Sequence, residues 1–191
     1  MAKIKLNPIV EEVSGGFGNI VFRDSKGKTV MCRKPDMSGN DATQGQAAHR
    51  ERFREAVAYG RSVMADADML AMYKQASIRR DIPVFALTVA DFFNAPTINE
   101  VDLSAYAGKV GDVIKVKAMD DFGVASVHVA LVNPTNEAPI ENGYAVETAA
   151  GSGVWLYTVT ASMPGGSKVS ISVVATDFPG GTAIESSSKT I

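Results

Sequence analysis

Between Val113 and Ala175 apolar side chains recur at every second position. The runs are Ile114-Val116-Ala118, Val127-Val129-Leu131 and Val169-Ile171-Val173-Ala175, with Trp155-Tyr157-Val159 between the last two. Period-two alternation puts one side-chain set on one face of a sheet, so these segments are predicted to be half-buried antiparallel strands. From Thr97 onward the pattern predicts strands over 97–103, 112–119, 124–133, 140–147, 154–161, 168–176 and 182–190. Turn residues separate them, among them Asp120-Asp121-Phe122-Gly123, Asn133-Pro134, Pro164-Gly165-Gly166 and Pro179-Gly180-Gly181. About seven short strands at this interval predict a two-sheet sandwich.

Upstream the period changes. Ile20-Val21-Phe22-Arg23 and Thr29-Val30-Met31-Cys32 flank a turn in which Gly27 can take the positive φ of a tight hairpin. Ile4 to Val13 reads as another extended segment. Thr43-Gln44-Gly45-Gln46 fits a capping box, with Thr43 as N-cap and Gln46 reaching back. The helix it opens carries Phe53, Ala56, Val57, Gly60 and Met64 at helical spacing. Asp66 or Asp68 caps a second helix with Met69, Met72, Tyr73 and Ala76 on one face. Asp81 and Pro83 mark a third start, with Phe85, Val89, Phe92 and Phe93 as its apolar content. Asn94-Ala95-Pro96 ends it. These patterns divide the chain into an N-terminal hairpin and helical module, 1–96, and a sandwich, 97–191.

Two stretches carry a resemblance. Ala118-Met119-Asp120-Asp121-Phe122-Gly123-Val124, Trp155-Leu156-Tyr157 and Val174-Ala175-Thr176-Asp177 before Gly180-Gly181 resemble the immunoglobulin-like domains of bacterial surface and multi-domain proteins, over residues 101–181. Gly15-Gly16-x-Gly18-x-Ile20-Val21-Phe22-Arg23, Gly27-Lys28-x-Val30, Pro35, Thr43-x-x-Gln46, Arg52-Phe53 and Ala56 are similar to the N-terminal module of an uncharacterised bacterial protein family, over residues 15–75. The first resemblance implies a fold and no activity. The second implies that hairpin and first helix travel together. The expected fold class is therefore α+β: an N-terminal β-hairpin plus about three helices, followed by an immunoglobulin-like antiparallel β-sandwich.

Composition narrows the function classes modestly. A formal charge of −2 gives no global reason to expect a polyanion. No apolar run approaches the roughly 18 residues that span a bilayer. Met-Ala-Lys-Ile-Lys-Leu-Asn-Pro lacks the apolar core of a secretory signal. A chain made in the cytoplasm is expected, reaching the cell surface or exterior only by a non-classical route. Cys32 is the single cysteine, so neither an intrachain disulfide nor a cysteine-based zinc cluster can form.

Candidate chemistry is sparse. Asp120, Asp121 and Asp177 are the best group of hard oxygen donors, and turns after the second and sixth strands of such a sandwich share one end, as a calcium site would need. The preferred reading makes them turn residues bonding nearby backbone amides, with calcium as the alternative and no other cofactor. Arg50, Arg52, Arg54 and Arg61, with Lys26, Lys28, Arg33 and Lys34, make the first half locally basic. Interleaved Glu51, Glu55, Asp36 and Asp41 favour a solvated or interface-facing surface over a nucleic-acid patch. Gly15-Gly16-Phe17-Gly18 lacks the lysine of a phosphate-binding loop. Cys32 and His49 have no third orienting group that would make them a catalytic pair. His128 reads as a surface strand residue.

The expectation is a non-enzymatic structural protein that self-assembles, as the subunit of a bacterial filament or surface layer, through strand exchange or edge pairing. Ile4, Leu6, Ile9 and Val10 are its candidate assembly residues, because a short N-terminal sheet must bury them somewhere and open sandwich edges accept added strands. A glycan- or protein-binding module and a virion or phage-like structural protein are the alternatives.

Overall fold

The computed structural model describes residues 2–3, 13–36 and 41–191. Among them the chain is α+β, with three helices and three four-stranded antiparallel sheets, two of which form a sandwich-like body. Compact units are Met1–Ala47 and Ala48–Ile191. The Asn94–Thr97 junction lies inside the second unit, between its last helix and its first strand.

The first unit holds β1 (Ala2–Lys3), β2 (Gly15–Phe17), β3 (Ile20–Asp24) and β4 (Thr29–Arg33), in the order β1-β4-β3-β2. The β3–β4 hairpin closes through Lys26 and Gly27, at φ 56° and 72°. Two consecutive left-handed residues are the type I′ turn, whose twist matches that of paired strands. The Gly27 N–H donates to Asp24 Oδ1 at 3.1 Å. Ile4, Leu6, Ile9 and Val10 lie outside the described residues.

The helices are α1 (Gln44–Ala65), α2 (Ala67–Arg80) and α3 (Val84–Phe93). The capping box forms: the Gln46 N–H donates to Thr43 Oγ1 at 3.3 Å and the Thr43 N–H to Gln46 Oε1 at 3.1 Å. Asp66 caps α2, its Oδ1 accepting from the Asp68 and Met69 N–H groups at 2.9 and 3.0 Å. Pro83 precedes α3, where a missing N–H costs nothing.

Ala56, Gly60, Tyr73 and Ala76 are buried as their spacing predicts, but the larger residues of the expected faces are not. Phe53, Met64 and Met72 are 49%, 46% and 42% exposed, whereas α1 buries Ala56, Gly60 and Val63. Helix α3 buries Leu87, Thr88 and Asp91, with Phe85 left 39% exposed. Close approach is the reason. A Cβ on Gly60 would stand 2.7 Å from Thr88 Oγ1 and 2.9 Å from Phe85 Cε2, so any larger residue would force these side chains to shift. Small residues then hold the contact and large ones are displaced to its rim. Gly60→Ala should therefore lower stability by about 1–2 kcal/mol despite alanine's better helix propensity, measurable by urea denaturation. A stabilised variant would show that the helices separate at no cost.

Six of the predicted strands appear within a few residues of their expected ends, whereas the segment expected as one strand over 140–147 breaks at Ala145 into two strands that join different sheets. One sheet runs β5 (Thr97–Asp102), β6 (Val113–Met119), β10 (Val154–Thr158), β9 (Val146–Glu147). The other runs β12 (Thr182–Thr190), β11 (Lys168–Asp177), β7 (Val124–Val132), β8 (Pro139–Tyr144). Between them lies one core containing Ile114, Val116, Val127, Val129, Leu131, Trp155, Tyr157, Val169, Ile171 and Val173. These are the alternating positions of the sequence, each worth about 1.5–3 kcal/mol when fully buried.

Register decides what meets at the ends of the strands. Thr97 pairs with Met119, so the chain leaving α3 enters β5 beside the exit of β6. Asp177 pairs with Val124, which sets the end of β11 beside the start of β7. Helix α3 and the β6–β7 and β11–β12 turns therefore share one end of the sandwich.

Candidate functional site

That shared end carries four carboxylates. Asp91 comes from α3, Asp120 and Asp121 from the β6–β7 turn, and Asp177 from the end of β11. Each spends one oxygen on the scaffold. Asp120 Oδ2 accepts from the Phe122 and Gly123 N–H groups at 2.8 and 2.9 Å. Asp177 Oδ1 accepts from the Gly180 and Gly181 N–H groups at 2.7 and 2.5 Å. Asp121 Oδ2 accepts from Asn94 Nδ2 at 2.9 Å. Asp91 Oδ2 accepts from the Tyr73 hydroxyl. The remaining oxygens, Asp91 Oδ1, Asp120 Oδ1, Asp121 Oδ1 and Asp177 Oδ2, are shielded from solvent and have no hydrogen-bond partner.

Aromatic packing holds the helices to this end. The Tyr73 ring lies flat on Phe122, with centroids 3.8 Å apart and planes 2° from parallel, and Phe122 meets Phe178 edge-on at 5.6 Å. Tyr73 is wholly buried, and its hydroxyl also lies 2.8 Å from that of Tyr59. Phe122 belongs to the same apolar cluster as Val63, Tyr73, Ala76 and Leu87.

The electrostatics are one-sided. Burial pushes the Asp91 carboxyl up to about 7; the Tyr73 hydrogen bond opposes this, and the negative charges of Asp120, Asp121 and Asp177 add to it. Burial also raises the Asp177 carboxyl, against the pull of the Gly181 and Gly180 amides. Tyr73 is raised by burial and by its bond to Asp91, so it stays a donor throughout the physiological range.

Three of these residues were legible as donors in the sequence. Asp91 has no turn or motif around it, and its one sequence signal is that it is the lone charged residue in the decapeptide VFALTVADFF, where a charge demands a reason. Asn94 both stops α3 and positions Asp121 through its side chain.

A second feature lies on the outer face of the β12-β11-β7-β8 sheet. Ile184 pairs with Val174, Val174 with His128, and His128 with Tyr144, which places the four in one cross-strand row. Ile184 is 67% and Tyr144 71% exposed, and His128 and Tyr144 meet edge-on at 5.1 Å. The row ends on β12 and β8, the two edge strands of this sheet. β12 pairs with β11 over nine consecutive residues without a bulge.

Four of the remaining candidates have local partners. The Cys32 thiol points at the Val21 carbonyl oxygen in the first unit. His49 packs against Phe93 at 5.9 Å in the second unit. Arg54 pairs with Glu51, and the Arg52 guanidinium lies 5.2 Å over the Phe93 ring. No helix among the described residues is long and apolar enough to cross a membrane.

No protein-family model matches this chain, and no curated protein matches it. Among solved structures, the crystal structure of CopC from Methylosinus trichosporium OB3b is similar over 49% of this chain and 89% of that one, at 12% identity and a TM-score of 0.36.

Proposed function

We propose that this protein is a non-enzymatic structural subunit that associates with copies of itself through its open-edged sheet, as in a bacterial filament or surface layer. The observation that carries the reading is the cross-strand row Ile184–Val174–His128–Tyr144, half-buried in the middle and exposed at its two ends, which runs between the edge strands of this sheet among the described residues. An apolar row left on a sheet face, with an unbulged edge beside it, is a surface that a second chain can cover and extend. Lys189, the cation that would guard β12, turns its amine onto the Leu103 and Tyr106 carbonyl oxygens instead.

The immunoglobulin-like topology belongs to the same proposal. Labelling the strands from β5 to β12 as A, B, C, C′, D, E, F and G gives sheets A-B-E-D and G-F-C-C′, with the order characteristic of that fold supporting the assignment. Sandwiches of this kind serve as repeating structural modules, and open edges let them join end to side.

Light scattering across a concentration series tests the reading. The wild-type chain should grow in mass with concentration, and the Ile184→Lys/Tyr144→Lys double variant should remain a folded monomer. Deleting residues 1–12 asks the same of Ile4, Leu6, Ile9 and Val10. Assembly that survives the deletion but not the double substitution locates the contact on the sheet. A wild-type protein that stays monomeric at millimolar concentration would sink self-association.

A further inference from the structure

We propose that Asp91, Asp120 and Asp121 bind a calcium ion, with Asp177 beside them, and that the ion fastens α3 to the β6–β7 turn. One carboxylate oxygen from each of the three lies within 4.8 Å of the others. Oxygens on opposite faces of a calcium ion stand about 4.6–5.2 Å apart, since each Ca–O bond is about 2.3–2.6 Å. The donors are all carboxylates, with no imidazole or thiolate among them, which selects a hard cation over zinc or copper.

Asp91 supplies the independent observation. It sits in an apolar helix, away from the turns that carry the other acids, and is 0% exposed. Its Oδ2 is held by Tyr73, while Oδ1 has no partner. A buried carboxylate with a bare oxygen is costly unless something positive meets it. The charges acting on it come from Asp120, Asp121 and Asp177, and all are negative. A divalent ion at that point would satisfy the bare oxygens together and turn mutual repulsion into attraction. Water and backbone carbonyls would complete a shell of six to eight oxygens, a looser demand than the strict octahedron of magnesium.

The scaffolding bonds explain why the site is preformed. Asn94 fixes Asp121, the Phe122 and Gly123 amides fix Asp120, and Tyr73 fixes Asp91, so little ordering remains when the ion arrives. This inference does not depend on self-association.

The full-length protein, stripped with a chelator, would be titrated with calcium chloride and followed by thermal melting. The expected result is a saturable rise of about 5–10 °C at a hundredfold excess over the dissociation constant. Terbium should also bind and luminesce on tyrosine excitation, because Tyr73 bonds directly to Asp91, and calcium should displace it. Asp91→Asn keeps an acceptor for Tyr73 while removing the charge. It should melt at or above the wild type in chelator and show no calcium shift. Asp121→Asn, nearer solvent and safer for folding, should reduce the terbium signal at least tenfold. The proposal is overturned if calcium produces no saturable shift, if magnesium at equal concentration matches it, or if Asp91→Asn keeps the wild-type response.

Discussion

With chelator present, the free energy of unfolding should fall as pH rises from about 4 to 7. The group responsible is Asp91, whose carboxyl is raised to about 7 by burial and by the charges of Asp120, Asp121 and Asp177. In the unfolded chain the same carboxyl ionises near 3.9. Below that value both states hold the proton and the group has no effect on stability. Between the two values the unfolded chain loses its proton while the native chain keeps it, so the unfolded state is favoured progressively. Above about 7 both are ionised and the loss is complete. A difference of about 3 pKa units corresponds to about 4 kcal/mol over the window. Asp177, raised by burial, acts in the same direction. Tyr73 and Tyr59 face Asp91 from α2 and α1, and both are raised, so neither titrates in this range. Urea denaturation in chelator between pH 4.5 and 8 measures the slope. Asp91→Asn should flatten it, and a wild-type stability that climbs over that interval would contradict a buried, uncompensated Asp91.

Tyr73→Ala should be the most damaging single substitution in the helical part, at about 3–5 kcal/mol. The side chain is wholly buried and its ring covers Phe122 face to face. Its loss would open a cavity between helices and sandwich, and would leave Asp91 Oδ2 and the Tyr59 hydroxyl without their partner. Tyr73→Phe keeps the stack and removes only the hydroxyl, so about 1.5–3 kcal/mol is expected. Because Tyr73 joins α2 to the β6–β7 turn, the alanine variant should also unfold in two steps, the helical signal lost before the near-ultraviolet signal of Trp155. A single transition with a loss under about 1 kcal/mol would mean that the helices are held elsewhere.

These two residues mark the boundary between what could and could not be read in advance. The sandwich strands were legible because period-two alternation is a local signal: Val127-Val129-Leu131 must face one way whatever the rest of the chain does. The helix caps were legible for the same reason, since Thr43 with Gln46, and Asp66 with Asp68 and Met69, act within four residues. Helix faces were harder. Phe53 and Met64 have the right spacing for a core stripe, but the contact that forms is set by how closely Gly60 lets α1 approach α3. Hydrophobic spacing alone cannot anticipate a backbone approach.

The carboxylate cluster divides in the same way. Sequence by itself determined that Asp120 and Asp121 stand in a turn and that Asp177 leads from a strand into the next turn, and that those turns can share one end of a sandwich. Only the tertiary structure decided that Asp91 joins them, because Asp91 is brought there by the pairing of Thr97 with Met119 and the stacking of Tyr73 on Phe122. Only the folded chain distinguishes the two oxygens of each carboxylate, one anchored and one bare. The physical reason is range. Alternation, caps and turns are settled by neighbours in the chain, whereas burial and the charge a group must live beside are settled by whatever the fold packs against it.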